Sequence, residues 1–160
     1  MSKGKIFVAS NNGVYVLKFT GDVRLTLCTV LDQFLETMAA EPDLSAVVID
    51  LCDAEGIDST SLGFIAKISI LTKDKLKLQP TLVSSNPDIT RILVSMGFEQ
   101  VFKIITHRLD NDESLSELGC SPCSEGEIKE KVIEAHKILM GLNKKNKKKF
   151  QELLSMLEAS

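Results

Sequence analysis

The chain has 160 residues, of which 44% are hydrophobic and 26% charged, and its formal net charge is −3. This length suits one ordinary domain with an extension, and the charge gives no overall signature of a nucleic-acid-binding protein. No apolar run approaches the ~18 residues of a membrane span, and the N-terminus lacks a signal peptide's apolar stretch and cleavage site. We therefore expect a cytoplasmic protein with no membrane span and no direct nucleic-acid partner.

The first 40 residues predict a β-hairpin followed by an amphipathic helix. Residues 6–9 are apolar, Asn12-Gly13 is a turn signal, and residues 14–19 alternate with β-forming side chains. Thr20-Gly21-Asp22 then breaks this pattern. Over residues 24–40, apolar side chains recur at steps of three and four, which indicates one face of a helix. They are Leu27, Val30, Leu31, Phe34, Leu35 and Met38.

The central stretch predicts a strand, a short polar connection and a second helix. Residues 46–51 are nearly all apolar, which favours a strand buried on both faces of a sheet flanked by helices. Residues 53–56 form the polar connection. After Ile57, four polar residues stand at the start of a helix, which begins near Ser59 and runs to about Lys75, and their side-chain oxygens suit its first turn. They are Asp58, Ser59, Thr60 and Ser61.

Two interpretations of these polar residues stay open. They either only cap the helix, or they present a hydroxyl that is regulated. The amides and the dipole at a helix N-terminus tolerate an added anion. A phosphate would bring about −1.5 to −2 charges next to Asp58. Such a change would switch an interface without refolding the domain.

The following segments complete an α/β pattern. Residues 80–84 predict a short strand, Asn86-Pro87 starts a helix that closes at Gly97, and residues 101–105 predict the last strand. Parallel strands joined by helices need right-handed crossovers. The predicted fold is therefore α/β, with a small mixed β-sheet and helices packed on one face.

The stretch from Asp58 to Gly63 resembles the serine motif of the STAS domain in bacterial anti-sigma factor antagonists. The family pattern is Asp-Ser-(Ser/Thr)-Gly-Leu-Gly. Five positions match it: Asp58, Ser59, Thr60, Leu62 and Gly63. Ser61 stands where the family usually has glycine. Three further segments are similar in the same order, namely Gly21-Asp22-Val23, Asn86-Pro87 and Gly97-Phe98 with residues 101–104, so the resemblance spans about residues 5–115.

This resemblance implies a phosphorylation-controlled protein-binding switch. Ser59 would be the phosphoacceptor, Asp58 would cap the helix, and residues 60–63 (Thr60, Ser61, Leu62 and Gly63) would complete the partner-contact surface. The implied partners are an anti-sigma factor or related serine kinase, which binds unphosphorylated Ser59, and a PP2C-type phosphatase. The function would be control of sigma-factor-dependent transcription, without a cofactor. The alternative is a constitutive scaffold or ligand-binding module on the same fold.

The rest of the chain predicts an added helical region. We expect the STAS-like domain over residues 1–110, a linker over 111–124 and a helical extension over 125–160. Ser124 and Glu127 have the spacing of a capping box. Two apolar stripes follow, one at Ile128, Val132, Ala135, Leu139 and Leu142, the other at Phe150, Leu153, Leu154 and Leu157.

The arrangement of this extension stays open in the sequence. A helical hairpin is one possibility, and a single helix with a basic middle is another. The apolar stripes would pack on the domain, pair two copies into a homo-oligomer, or serve a partner. Five lysines within residues 144–149 favour a solvated face or hinge over a membrane or nucleic-acid surface.

The sequence shows no pattern typical of a metal site or a catalytic site. Cys28 and Cys52 lie in apolar segments and are expected to be buried free thiols. Cys120 and Cys123 form a single CxxC, and the two histidines, His107 and His136, show no ligand spacing around it. Ser59 as a nucleophile would need a positioned base, and the sequence places neither histidine beside it. We therefore predict no metal and no enzyme activity.

Overall fold

The computed structural model describes residues 2–109, 114–119 and 123–159. The strands are β1 (Lys5–Asn11), β2 (Val14–Val23), β3 (Ala46–Ile57), β4 (Thr81–Val83), β5 (Lys103–Ile105) and β6 (Ser116–Glu117). The helices are α1 (Cys28–Ala39), α2 (Ser59–Leu76), α3 (Pro87–Ser95), α4 (Glu125–Met140) and α5 (Lys144–Ala159). Short 3-10 turns at Leu25–Leu27 and Phe98–Gln100 precede α1 and β5.

The six strands form one mixed sheet in the order β5-β4-β3-β2-β1-β6. The pairs β2–β3, β3–β4 and β4–β5 are parallel, whereas β1 pairs antiparallel with β2 and with β6. Burial alternates along β3: Val47, Ile49 and Leu51 are buried, while Val48 and Asp50 are only half-buried. The core thus lies on one face of the sheet. The α/β prediction is confirmed, but the expectation that β3 is buried on both faces is wrong.

The two central strands are longer than predicted. Strand β2 continues through Gly21 to Val23, and β3 continues through the polar residues 53–56. The strands stay paired because the register shifts twice, once between Lys18 and Thr20 and once between Gly21 and Asp22. Gly21 has a φ of +71°, which a glycine adopts without strain at such an irregularity. Polarity was therefore a poor guide here, since the backbone pairing continues whatever the side chains.

The helices of the domain follow their predicted capping signals. Helix α2 occupies the predicted span, and the side chain of Asn86 accepts a hydrogen bond from the Asp88 amide at 3.0 Å to start α3. Gly97 follows α3 with a φ of +84°. Helix α1 begins at Cys28, later than predicted, after the 3-10 turn. Strand β6 was not predicted, because Ser116 and Glu117 carry no apolar alternation.

The C-terminal region is a helical hairpin packed on the domain. Ser124 Oγ accepts the Glu127 amide at 3.2 Å, which confirms the predicted cap of α4. Ala135, Leu139 and Phe150 join the same apolar core as the sheet and α2. Helix α5 starts inside the basic run: Lys144, Lys145, Lys147, Lys148 and Lys149 are exposed, while Asn146 between them is buried. Of the packing alternatives, the described residues show the first, since Ala135, Leu139 and Phe150 pack on the domain, whereas Leu153 of the second stripe is exposed.

Within the described residues, none of the helices combines the length and the apolar character required to cross a bilayer.

Candidate functional site

Asp58 fixes the start of helix α2 and ties it to the turn before α1. Its backbone is extended, as an N-cap requires, and its Oδ1 accepts the Ser61 amide at 2.7 Å. Its Oδ2 accepts the Leu25 amide, also at 2.7 Å. One carboxylate therefore anchors two elements, and the predicted capping role is confirmed.

Ser61 and Cys28 meet behind this cap. Their side-chain oxygen and sulfur lie 3.9 Å apart, and both residues are buried. Burial raises the pKa of the Cys28 thiol to about 12, so this thiol stays protonated. A protonated, buried thiol is not a nucleophile, and Cys28 serves as an apolar support for the first turn of α2.

Ser59 is the first residue of α2, and its hydroxyl meets a histidine from the C-terminal hairpin. Ser59 Oγ lies 2.9 Å from Nε2 of His136. Nδ1 of the same ring lies 2.7 Å from the carbonyl oxygen of Val132, and a carbonyl oxygen only accepts. In the neutral imidazole, Nδ1 therefore carries the proton and Nε2 is the acceptor. In that form of the ring, the Ser59 hydroxyl donates to Nε2.

His136 is the site residue that the sequence analysis missed. It is 2% exposed, and its ring meets Phe150 edge-on, with the centroids 5.0 Å apart. Its position, four residues after Val132 and three before Leu139, assigns it to the buried stripe of α4. Nothing in the sequence pairs it with Ser59, which lies 77 positions earlier. The other histidine, His107, is exposed.

Helices α2 and α4 touch backbone to backbone at Gly63. A Cβ atom placed there would lie 2.6 Å from both Cα and Cβ of Ala135, and closer still to the Ala135 carbonyl oxygen. Glycine inside a helix costs about 1 kcal/mol relative to alanine, and here the missing side chain leaves the room that α4 occupies. The other predicted contact residues, Thr60, Ser61 and Leu62, are buried too.

A charged cluster joins α1, α2 and α4 beside this contact. Lys67 Nζ lies 2.7 Å from Asp32 Oδ1 and 2.6 Å from Glu134 Oε2, and Lys131 Nζ lies 2.5 Å from Asp32 Oδ2. Burial alone would raise the pKa of Asp32, but hydrogen bonds from Lys131 and Lys67 outweigh it and lower that pKa. Burial would likewise lower the pKa of Lys67, but Asp32 and Glu134 raise it. The cluster is therefore ionised and holds α4 in place.

The cysteines and possible metal ligands lie elsewhere. Cys28 and Cys52 are buried free thiols, as predicted, and Cys123 is also free. Cys120 lies outside the described residues, so the expectation that this CxxC binds no metal stays a prediction. In the described ranges, no three side chains among His, Cys, Asp and Glu gather in a way that would hold a metal ion.

The comparisons agree with this architecture. Residues 5–111 match the family model of the STAS domain, and the chain belongs to that family. A crystal structure of an anti-sigma factor antagonist from Mycobacterium paratuberculosis is similar, with a TM-score of 0.53 and 23% identity over 64% of this chain and 85% of that chain. A search of curated proteins finds no match. The family match ends before α4 and α5, so the residue that meets Ser59 lies outside the shared domain.

Proposed function

We propose that this protein is an anti-sigma factor antagonist controlled by phosphorylation of Ser59. In its unphosphorylated form it binds an anti-sigma factor or a related serine kinase in the cytoplasm, and so controls sigma-factor-dependent transcription. Kinase action on Ser59 weakens or redirects that binding, and a PP2C-type phosphatase restores it. No cofactor or direct nucleic-acid contact is part of this proposal.

The observation that carries the proposal is the position of Ser59 in a STAS domain. Ser59 is the first residue of α2, directly after the N-cap Asp58, and the residue is only half-buried. Free amides at this helix end favour an added anion. The two neighbouring carboxylate oxygens of Asp58 are committed to amides of Leu25 and Ser61, so the cap survives modification of its neighbour.

The same geometry argues against an enzyme. A serine hydroxyl that donates to a neutral imidazole is the arrangement of a nucleophile and its base. Here, however, the imidazole is 2% exposed, and Phe150 covers its ring. A leaving group would therefore have no route to the base, and we propose a binding protein without catalytic activity.

A constitutive scaffold is the second candidate, and one observation favours it. The predicted contact residues Thr60, Ser61, Leu62 and Gly63 are buried in the described structure. A protein that never exposes this surface would act through others, independently of Ser59. The exposed side of α5, where Leu153 is 41% and Met156 66% exposed, would then be a surface to test.

The test combines phosphopeptide analysis with partner affinity. The full chain is isolated from its own cells under two growth conditions, and occupancy of Ser59 is measured by mass spectrometry. The protein that co-purifies is identified, and its affinity is measured for wild type, Ser59→Ala and Ser59→Asp. We expect Ser59→Asp to bind at least tenfold more weakly, about 1.4 kcal/mol, and Ser59→Ala to bind no more weakly than wild type.

Ser10, an exposed serine of β1, provides the matched control. Ser10→Ala and Ser10→Asp repeat the same chemical changes away from α2 and should leave the affinity unchanged. Equal partner affinity of wild type, Ser59→Ala and Ser59→Asp, with no phosphate on Ser59 under either condition, would contradict the switch and favour the scaffold.

A further inference from the structure

The surface around Ser59 already holds a helix. Helix α4 crosses α2 so closely that Gly63 has no room for a Cβ atom. His136 accepts the Ser59 hydroxyl, and Lys131 bonds to Asp32 of α1. Three kinds of contact, steric, polar and ionic, therefore seat α4 on this surface, which we call the α2 docking surface (Asp32, Ser59, Gly63 and Lys67).

The far end of the hairpin is fastened separately. Asn146, at the start of α5, is 1% exposed and donates from Nδ2 to the carbonyl oxygens of Met96 at 2.8 Å and Leu139 at 2.9 Å. The first contact joins α5 to the end of α3, and the second joins α5 to α4. The hairpin is thus attached at both ends, and it covers the α2 docking surface as one unit.

We propose that the α4–α5 hairpin is an internal competitor for the α2 docking surface, and that a partner helix replaces α4 when the protein binds. This inference rests on the function proposed above and adds to it a closed state, in which the surface is occupied by the protein's own chain. The closed state lowers the apparent affinity for the partner by the fraction of molecules that are open.

Helix α4 also indicates what kind of partner fits. The partner presents an amphipathic helix with a small residue opposite Gly63, since only a small side chain permits the observed approach. One turn away it carries a basic side chain toward the half-satisfied carboxylate of Asp32, in the place of Lys131. A helix-in-groove mode of binding uses such an apolar stripe with flanking polar contacts.

Phosphate on Ser59 is incompatible with the closed state. The modified oxygen has no proton to donate to His136, and the phosphoryl group needs the space beyond Oγ that the buried imidazole fills. Phosphorylation therefore displaces α4 and, for the same reason, keeps a partner helix from taking its place, while a kinase reaches Ser59 only in the open state.

The first test uses variants of the full chain and needs no partner. Ala135→Leu adds bulk to α4 where it meets Gly63, while Glu130→Leu adds the same side chain at an exposed position of α4. Hydrogen exchange of the α4 amides, followed by mass spectrometry, should be at least tenfold faster in Ala135→Leu and unchanged in Glu130→Leu. Gly63→Ala, a favourable change for α2 itself, should open α4 as well. Protected α4 amides in both Ala135→Leu and Gly63→Ala would overturn the inference.

The second test asks whether the uncovered surface takes a helix from outside. The probe is a fluorescein-labelled peptide of residues 124–142. It should bind the full-length Ala135→Leu variant at least tenfold more tightly than the wild-type chain, whose own α4 occupies the surface. A peptide that itself carries Ala135→Leu is the control and should not bind. Equal binding of the peptide to the variant and to wild type would overturn the competition.

A third test addresses the phosphate and the number of copies. Phosphoserine is incorporated at position 59, and α4 exchange is compared with that of the unmodified chain. We expect faster exchange, and slower exchange would contradict the displacement.

Sedimentation of wild type should give a monomer. A dimer that dissociates on Ala135→Leu would mean that a second copy supplies the helix, which would overturn an internal competitor.

These results separate the inference from the function on which it rests. Faster α4 exchange and peptide binding support the closed state even if Ser59 is never phosphorylated in cells. Conversely, a Ser59-dependent partner whose affinity is the same for wild type and Ala135→Leu would support the proposed function and overturn the competition.

Discussion

At the scale of single residues, Asp32 joins three helices through ion pairs that the sequence does not reveal. It lies on the predicted apolar side of α1, yet it is charged, almost buried and bonded to two lysines from two other helices. A buried charge is tolerated when it is paired and hydrogen-bonded. Removing one partner leaves the others uncompensated, so this cluster is a sensitive point in the attachment of the hairpin.

The lowered pKa of Asp32 predicts an acid-sensitive contribution to stability. Because the folded pKa lies below the unfolded value of ~3.9, the contribution is fully present above that value and is lost as pH falls through the folded pKa. The charged groups that face Asp32 are Lys67 of α2 and Lys131 and Glu134 of α4. We expect Asp32→Asn to cost about 1–3 kcal/mol at pH 7, and the cost to shrink below pH 4.

Urea unfolding followed by circular dichroism from pH 3 to 7 measures this difference. The exposed Asp43 provides the control, because Asp43→Asn removes a carboxylate without disturbing the cluster. If the difference in unfolding free energy between wild type and Asp32→Asn stays constant over this pH range, the ionised carboxylate is not what stabilises the contact.

The residue scale also separates what sequence reasoning could predict from what it could not. Asp58 as a cap and Ser59 as the first helical residue follow from local rules, because a cap acts on amides within the next three positions. The partner of Ser59 does not follow, since His136 is brought to it only by the packing of α4 on α2. The burial of Gly63 could not be predicted from the sequence either, because it also depends on the packing of α4 on α2.

At the scale of elements, Asn146 decides how α5 is joined to the rest. Its buried side-chain amide donates to the carbonyl oxygen of Met96, at the end of α3, and to that of Leu139 in the last turn of α4, which also accepts the Leu142 amide at 3.1 Å. It stands in a basic run that the sequence analysis assigned to a solvated face or hinge. The lysines around it do face solvent, and only this one position turns inward.

Asn146→Ala is therefore expected to destabilise the hairpin by about 1–3 kcal/mol, since the Met96 carbonyl oxygen loses this donor and the Leu139 carbonyl oxygen loses one of its donors. The control is Lys145→Ala at the neighbouring exposed position. Alanine has a better helix propensity than lysine, so this change should not destabilise the hairpin. Exchange of the α5 amides, compared with that of β3, measures the local effect. Unchanged α5 protection in Asn146→Ala would mean that the apolar contacts of Phe150 hold α5 without the amide.

The strands illustrate a second limit of sequence reasoning. The lengths of β2 and β3 were underestimated because polar residues and Gly21 look like turns, whereas pairing with a neighbouring strand keeps them extended. Strand β6 is defined by its pairing with β1 alone. Local sequence patterns do not predict elements that depend on pairing with a distant strand. They do predict elements that depend on capping and periodicity, such as α2 and α3.

At the scale of the whole molecule, the hairpin adds to a core that the family domain supplies. The match to the STAS family covers residues 5–111, and the apolar residues of β2, β3, α1 and α2 form most of the core. Helix α4 contributes Ala135 and Leu139, and α5 contributes Phe150. The predicted boundaries of the domain, linker and extension remain predictions, although the apolar core is continuous across them.

This organisation predicts two levels of opening. Only Ala135, His136 and Leu139 of α4 are buried, and the other residues of this helix are partly or fully exposed. We expect the α4 and α5 amides to exchange through an opening of lower free energy than global unfolding, measured by native-state exchange at low urea concentrations. If their exchange merges with that of β3 at every urea concentration, the hairpin does not open separately.

The order of the two contacting residues along the chain has a consequence for timing. His136 follows Ser59 by 77 positions, so a ribosome finishes Ser59 long before it makes the residue that covers it. At ~5–20 residues per second, the delay is roughly 4–15 s. Under the proposed switch, a kinase would therefore meet Ser59 in the nascent chain before His136 covers it, and slower translation would lengthen that interval.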